Sequence, residues 1–485
     1  MPLTRRRFCS TLAAAPALLQ TARAAQQPPN IVLILADDLG WGDLGCYNRE
    51  SKIATPNLDR FAGQGVRFTD MHSPSSVCTP TRYGILTGRY CWRSRLKNGV
   101  LQGYSPNLIE ANRPTIASTL KAAGYYTAGV GKWHLGLGDR EQTDYTQPLS
   151  PGPNDHGFDY YFGIPASLDM APYLYFENRA PVEQPTSSTP GCPGTGDARS
   201  SGRFWRAGTM SPSFQFDQVM PTLTRKAVSI VRERAKAKQP FFLYFPMTGP
   251  HTPWMPVAPF RGKSRAGDYG DFVAQIDDAA GQVIRAVDEA GLGKNTLVIF
   301  TSDNGAYWWP SDIERTGHRA NDGWRGLKAD VYDAGHRIPF LARWTGRTKT
   351  GSVRGDLGCL TDIFATVAEA SGVTLPSDGA EDSFSQFAGV VGRETLKPVR
   401  DFAIHHSSQG MFAIRQGAWK LNDGRGSGGF SKPVTITPGP GDAPGELYDL
   451  SNDPAETNNL YASRPEVVAR LRGLLEAAKS RGRTR

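Results

Sequence analysis

Two pairs of hard oxygen donors stand far apart in this chain, Asp37-Asp38 and Asp303-Asn304. Carboxylate and amide oxygens, with no imidazole or thiol in the same pattern, are the donors that calcium or magnesium prefers, so the four together predict a site for a hard cation. Either pair alone serves equally well to cap a helix or turn. Between them lies Cys78-Thr79-Pro80. Thr79 reads as an N-cap and Pro80 as a first helical residue, which puts Cys78 at a helix start, where free amides and the helix dipole favour an anion. Arg82, one turn in, adds a permanent charge. Lys132 and His134 are two residues apart in Gly131-Lys132-Trp133-His134-Leu135-Gly136 and point to one side if that segment is extended. His251, in Pro250-His251-Thr252-Pro253, and Lys328, in Gly326-Leu327-Lys328-Ala329-Asp330, add an imidazole and an ammonium.

These groups follow short apolar runs. Asn30-Ile31-Val32-Leu33-Ile34-Leu35-Ala36 ends in Asp37, and Thr127-Ala128-Gly129-Val130 leads to Lys132. Phe241-Phe242-Leu243-Tyr244-Phe245 leads to His251, and Thr296-Leu297-Val298-Ile299-Phe300 leads to Asp303. Continuous apolar runs are those of strands buried on both faces of a parallel sheet. Ligands of open α/β sheets sit beyond the carboxyl ends of the strands, so the four runs predict one shared site. Between them, Thr55-Pro56 and Pro114-Thr115 mark helix starts and Gly124 a stop. Phe272, Ile276, Val283 and Val287 share one helical face over 271–290, closed by Gly291. The alternation predicts an α/β fold over 25–372, a large, mainly parallel but mixed sheet flanked by helices.

Residues 181–202 are rich in Pro, Ser, Thr and Gly and read as a surface excursion or a lid. After Gly372 the runs Phe402-Ala403-Ile404-His405 and Met411-Phe412-Ala413-Ile414-Arg415 predict a smaller α+β domain over 373–485 with an antiparallel sheet and a terminal helix from about Pro465. His405 and His406 either approach the site from this domain or pack its core.

At 485 residues the chain exceeds one typical domain. Residues 1–24 are set aside, because Thr4-Arg5-Arg6-Arg7-Phe8 is a twin-arginine pattern, followed by an apolar stretch and Ala22-Arg23-Ala24. This reads as a cleaved export signal, with the twin-arginine translocase as partner and a periplasmic or secreted location. The apolar stretch falls short of the about 20 residues that span a bilayer, so no stable membrane anchor is expected. The signal carries four arginines and no acid, which lowers the formal charge from +9 to +5. No basic stripe accompanies it, which argues against nucleic acid while suiting an anionic substrate. Cys46, Cys91, Cys192 and Cys359 show no zinc spacing and admit either disulfides or free buried thiols.

The longer run Cys78-Thr79-Pro80-Thr81-Arg82-Tyr83-Gly84-Ile85-Leu86-Thr87-Gly88-Arg89 resembles the signature of the type I, formylglycine-dependent sulfatases of the alkaline phosphatase superfamily. Gly131 to Gly136 is a second sulfatase-like run, and Glu446-Leu447-Tyr448-Asp449-Leu450, continuing to Leu460, resembles the family's closing signature. The resemblance covers about Asn30 to Leu460. It implies that a maturase oxidises Cys78 to formylglycine and that the aldehyde hydrate attacks sulfur. It further implies that Asp37, Asp38, Asp303 and Asn304, with residue 78, hold one calcium ion, and that Arg82 orients the diol. Lys132 would bind a sulfate oxygen, and His134 would take the proton from the second diol hydroxyl as sulfate leaves. His251 and Lys328 would bind sulfate and assist the departing alkoxide. A sugar alkoxide leaves poorly, so a proton donor there is worth about 10²- to 10⁴-fold in rate. Thr81 stands where serine is commoner and keeps the hydroxyl.

The implied activity is hydrolysis of sulfate monoesters, with a sulfated carbohydrate or aryl sulfate as substrate. His318, Arg319 and Trp324 crowd between the metal pair and Lys328. Their aromatic and polar character suits sugar stacking and hydroxyl contacts, or packing of the loop. The Gly-His-Arg-x-Asn-x-x-Trp-Arg-Gly-x-Lys pattern resembles sulfatases acting on N-acetylgalactosamine-6-sulfate. Two other readings stand beside this one, a phosphonate or phosphate ester hydrolase of the same superfamily and a non-catalytic sulfated-glycan-binding protein.

Overall fold

The computed structural model describes residues 27–193, 202–394 and 397–485. The export signal expected over 1–24 lies outside them. A ten-stranded sheet runs in the order Ser352–Arg354, Val66–Phe68, Phe340–Trp344, Thr296–Ser302, Asn30–Asp37, Phe241–Pro250, Tyr126–Lys132, Tyr160–Ile164, Phe176–Glu177 and Ala180–Pro181. Its five central strands, from Thr296–Ser302 to Tyr160–Ile164, are parallel. Phe340–Trp344 runs antiparallel to its neighbours, which makes the sheet mixed as the strand and helix alternation implies.

The first strand explains why the runs are continuously apolar. Val32, Ile34 and Ala36 enter one core, under helices Pro56–Gln64, Val219–Arg234 and Gly267–Glu289. Ile31, Leu33 and Leu35 enter the other, under Cys78–Thr87, Ile116–Ala122 and Ile363–Ser371. A strand covered on both faces has no polar side to alternate with.

A four-stranded antiparallel sheet of Ala403–His406, Phe412–Gln416, Trp419–Asn422 and Glu446–Asp449 forms the smaller C-terminal layer, backed by helix Pro465–Ser480. Ile404, Ile414, Leu421 and Leu447 pack there with Val468, Leu471 and Leu475. The seam with the large sheet is polar and buried. His72 and His336 meet through their Nδ1 atoms at 2.9 Å, and the ring of His405 stacks on that of His336 with centroids 4.0 Å apart. His405 therefore takes the packing role in this seam, while His406 is buried with Nδ1 3.1 Å from the Ser407 carbonyl and its ring centre 6.2 Å from that of Phe412. Among its described residues the excursion around 181–202 carries the short strand Ser187–Thr189, which pairs with Gly208–Met210 beyond it. The five described cysteines are all free thiols, and among the described residues no helix is long and apolar enough to cross a membrane.

Candidate active site

The strands ending at Asp37, Lys132, Pro250 and Ser302 are neighbours in the sheet, so their carboxyl ends deliver side chains to one place. Three buried acids and three buried cations alternate there. Lys132 Nζ lies 2.7 Å from Asp37 Oδ2, Lys328 Nζ lies 2.7 Å from Asp38 Oδ2, and Arg82 Nη2 lies 2.7 Å from Asp303 Oδ2. Arg82 also reaches Asp37 at 3.4 Å and donates from Nη1 to the Lys132 carbonyl at 3.0 Å. Burial pushes the Asp37 carboxyl up, and the charges of Lys132, His251, Arg82 and Lys328 more than reverse this, holding it well below the usual carboxylate range.

Local backbone choices make this convergence possible. Asp38 turns out of its strand at φ 67°, a left-handed conformation that aspartate tolerates better than most residues. Gly131 has φ 141°, and a Cβ there would sit 1.8 Å from the Pro246 carbonyl oxygen, so only glycine lets this strand pass close enough to present Lys132. Helix Cys78–Thr87 is capped by Val77, and Cys78 is its first residue. The expected Thr79 N-cap is thus displaced by two positions. The Thr79 hydroxyl instead donates to the His134 carbonyl and accepts from the Leu101 amide.

Cys78 Sγ lies 3.6 Å from Asp37 Oδ1, and burial pushes the thiol up to about 12. A thiol held that high is neutral at physiological pH and a poor nucleophile as it stands. His134 sits at φ 56°, so the expected alternation from Lys132 does not carry through, yet it still reaches the same cavity. Its Nε2 faces the Leu101 carbonyl at 2.8 Å, which fixes the proton on Nε2 and leaves Nδ1 as a buried lone pair without a partner. Burial, with the charges of Lys132 and Arg82, keeps this ring well below the usual histidine range and therefore neutral. His251 shows the opposite tautomer, with Nδ1 against the Thr252 carbonyl at 2.6 Å and Nε2 turned towards Asp38 at 3.8 Å.

Asp37, Asp38, Cys78 and His251 offer ligand atoms within 4.8 Å of one another. Asn304 Nδ2 donates to Asp38 Oδ1 at 2.7 Å, while its own Oδ1 is buried with no partner. Asp303 is not one of those four; with the orphaned Asn304 oxygen it would add to the Asp37 and Asp38 carboxylates the oxygen donors that fit a hard cation.

A cavity of about 410 Å³ opens onto Cys78 and is lined by Asp38, His134, His251 and Lys328. His318, Arg319 and Trp324 are not part of it. His318 is fully buried, with Nε2 2.8 Å from Asp43 Oδ1 and Nδ1 accepting from the Lys52 amide. Arg319 is exposed. Trp324 packs under Arg337, whose guanidinium carbon is 3.9 Å from its ring centre. The remaining wall comes from Gln102, Asp169, Arg206, Tyr307, Trp309 and Phe430. Apart from Tyr307 and Trp309, which follow Asp303-Asn304 closely, no spacing in the sequence marks these residues. They arrive from loops at scattered positions, and Phe430 comes from the C-terminal unit.

A family model described as Sulfatase matches residues 29–373. N-acetylgalactosamine-6-O-sulfatase of Bacteroides thetaiotaomicron is 36% identical, with 94% of each chain covered. Human arylsulfatase A is 34% identical over 94% of this chain and 89% of its own. A solved structure described under the metabolism of multiple glycosaminoglycans by Bacteroides thetaiotaomicron superposes with a TM-score of 0.83 at 35% identity, covering 94% of this chain and all of its own. The chain belongs to the sulfatase family and is a sulfuric ester hydrolase.

Proposed function

We propose that this sulfatase acts on 6-O-sulfated N-acetylgalactosamine or a closely related sugar sulfate, with one calcium ion and with residue 78 as formylglycine. The observation that carries the reading is the meeting of Cys78, the Asp38–Lys328 pair and two histidines of opposite tautomer on one cavity, with Asp37 of the buried Asp37–Lys132 pair 3.6 Å from Cys78. The similarity to N-acetylgalactosamine-6-O-sulfatase supports the choice of sugar.

Asp37, Asp38, Asp303 and the Asn304 amide oxygen, with residue 78, would hold calcium, which when bound draws charge from a sulfate oxygen. Oxidised and hydrated, residue 78 supplies a hydroxyl as nucleophile where the buried thiol cannot. Lys132 and Lys328 lie on either side of the acids and bind sulfate oxygens, exchanging part of their pairing with Asp37 and Asp38 for the substrate. Arg82 keeps Asp303 and Asp37 in register and orients the hydroxyls of residue 78. His251, with its Nδ1 proton committed to the Thr252 carbonyl, turns Nε2 towards the site, and once Nε2 also carries a proton the ring passes it to the departing alcohol oxygen. His134, neutral and with Nδ1 free, takes a proton from the second hydroxyl as sulfate is released. Water restores the hydrate, and the net reaction consumes one water for each ester cleaved.

Residues 25–372 act as the catalytic unit and 373–485 as a smaller unit that completes the wall of the site. The twin-arginine pattern at residues 4–8 supports export through the twin-arginine translocase after a maturase has acted on Cys78. The deciding experiment is turnover by material in which mass spectrometry finds formylglycine at residue 78. Such an enzyme should release sulfate from N-acetylgalactosamine 6-sulfate in a calcium-dependent way and favour aryl sulfate over aryl phosphate and phosphonate. A preference for the phosphorus esters would overturn the reading.

A further inference from the structure

One wall of the cavity carries an arginine with unused donors. Arg206 is anchored on three sides: its amide donates to the Asp169 carbonyl at 3.1 Å, its own carbonyl accepts from the Tyr173 hydroxyl at 2.7 Å, and Nη1 bonds both the Asp169 carbonyl at 3.1 Å and Asp169 Oδ2 at 2.5 Å. Phe204 lies beneath the guanidinium, with its ring centre 5.2 Å from the guanidinium carbon. Every hydrogen bond that the side chain makes among the described residues runs through Nη1, so Nε and Nη2 are left without partners on a side chain still 48% exposed. Asp169 is buried, and its Oδ1 has no partner. Tyr307, Trp309 and Phe430 line the same cavity, the rings of Tyr307 and Phe430 meeting edge to face.

This is the division of labour that a saccharide needs, an aromatic surface for the C–H face of the ring and fixed donors for its hydroxyl edge. The charge of Arg206 is offset by Asp169 in direct contact, which suits uncharged hydroxyls better than a second anion. The sulfate is already met by Lys132 and Lys328. We propose that Arg206 is a specificity residue that donates from Nε and Nη2 to hydroxyl oxygens of the sulfated sugar, and that Asp169 is the positioning residue that aims it. The inference rests on the sugar-sulfatase reading above and names the group that distinguishes a sugar ester from any other sulfate ester.

The test compares N-acetylgalactosamine 6-sulfate with 4-nitrophenyl sulfate, which has no hydroxyl edge, in the full-length enzyme with formylglycine confirmed at residue 78. Arg206→Met should lower kcat/KM for the sugar ester by about 10- to 100-fold, the range for hydrogen bonds from a charged donor, and by at least about ten times less for the aryl ester. Asp169→Asn should show the same bias more weakly. Arg206→Lys should recover only part of the sugar rate, because a point charge does not reproduce the fork. Equal losses on both esters, or no loss on the sugar, would overturn the assignment while leaving the sulfatase reading intact. A wild-type enzyme active on the aryl ester and inert to every sugar sulfate tried would overturn both this proposal and the choice of sugar.

Discussion

The guanidinium of Arg82 meets the carboxylate of Asp303 twice on the same oxygen, at 2.7 Å from Nη2 and 3.1 Å from Nε, and neither side chain touches solvent. Removing one partner strands the other. Arg82→Met leaves Asp303 and Asp37 facing each other with one counter-charge fewer, and breaking such a pair costs about 3–5 kcal/mol. Urea unfolding of the variant should show that loss, with Arg82→Lys intermediate. A wild-type midpoint for Arg82→Met would show that the pair holds nothing in place.

Asp303→Ala should lower bound calcium and sulfate release together, whereas Asn304→Ala removes a single neutral oxygen and should weaken the ion less. Calcium content by elemental analysis, beside rates before and after chelation, gives both readouts. Calcium at the wild-type level in Asp303→Ala would place the ion elsewhere.

His251→Ala should bind calcium normally and slow the sugar ester far more than an activated aryl ester, whose leaving oxygen needs little protonation. The expected loss on the sugar is about 10²- to 10⁴-fold, that of a missing general acid. Equal losses on the two esters would remove His251 from the acid role.

Cys78→Ala should abolish turnover and leave the unfolding transition nearly unchanged, since losing one sulfur from a helix start opens only a small cavity. Peptide mass spectrometry of active wild-type material should find residue 78 as formylglycine. Full activity from wholly unmodified cysteine would end the mechanism.

His406, at the end of strand Ala403–His406, offers a pH test. Burial lowers it to about 4, its Nδ1 is held by the Ser407 carbonyl, and its Nε2 has no partner. Below about 6.5 the unfolded chain takes up a proton that the folded chain refuses until about pH 4, so this residue costs stability as pH falls through that window. The comparison is between wild type and His406→Gln, in which the contributions of all other titrating groups cancel. The variant should lose stability less steeply, by about 3 kcal/mol between pH 6.5 and 4. Parallel curves would mean that His406 is solvated or charged in the fold.

The sheet and the site at its strand ends were legible in the sequence because strands buried on both faces leave unbroken apolar runs, and Asp37, Lys132 and Asp303 sit at or just past their ends. Exact backbone positions were less so. The helix at Cys78 begins one residue before Thr79 because the Thr79 hydroxyl is engaged by Leu101 and His134, contacts that no local pattern announces. His318 looked like a sugar ligand by its neighbours, yet Asp43, 275 residues away, holds it in the core. Asp169 and Arg206 were invisible for the same reason, since they lie on loops without periodicity and matter only through where the chain brings them.

Cys78 is 2% exposed, and every residue of its helix is buried. The wall opposite is closed by Gly429 and Phe430, which are translated some 350 residues later. If residue 78 is converted as proposed, a modifying enzyme that must grip the peptide around it would therefore have a deadline. It would work on a chain whose C-terminal part had not yet docked, and once Phe430 was in place an unconverted cysteine would stay unconverted. The fraction of active molecules would then be set by a race between oxidation and folding, and a variant that folds faster would emerge less active.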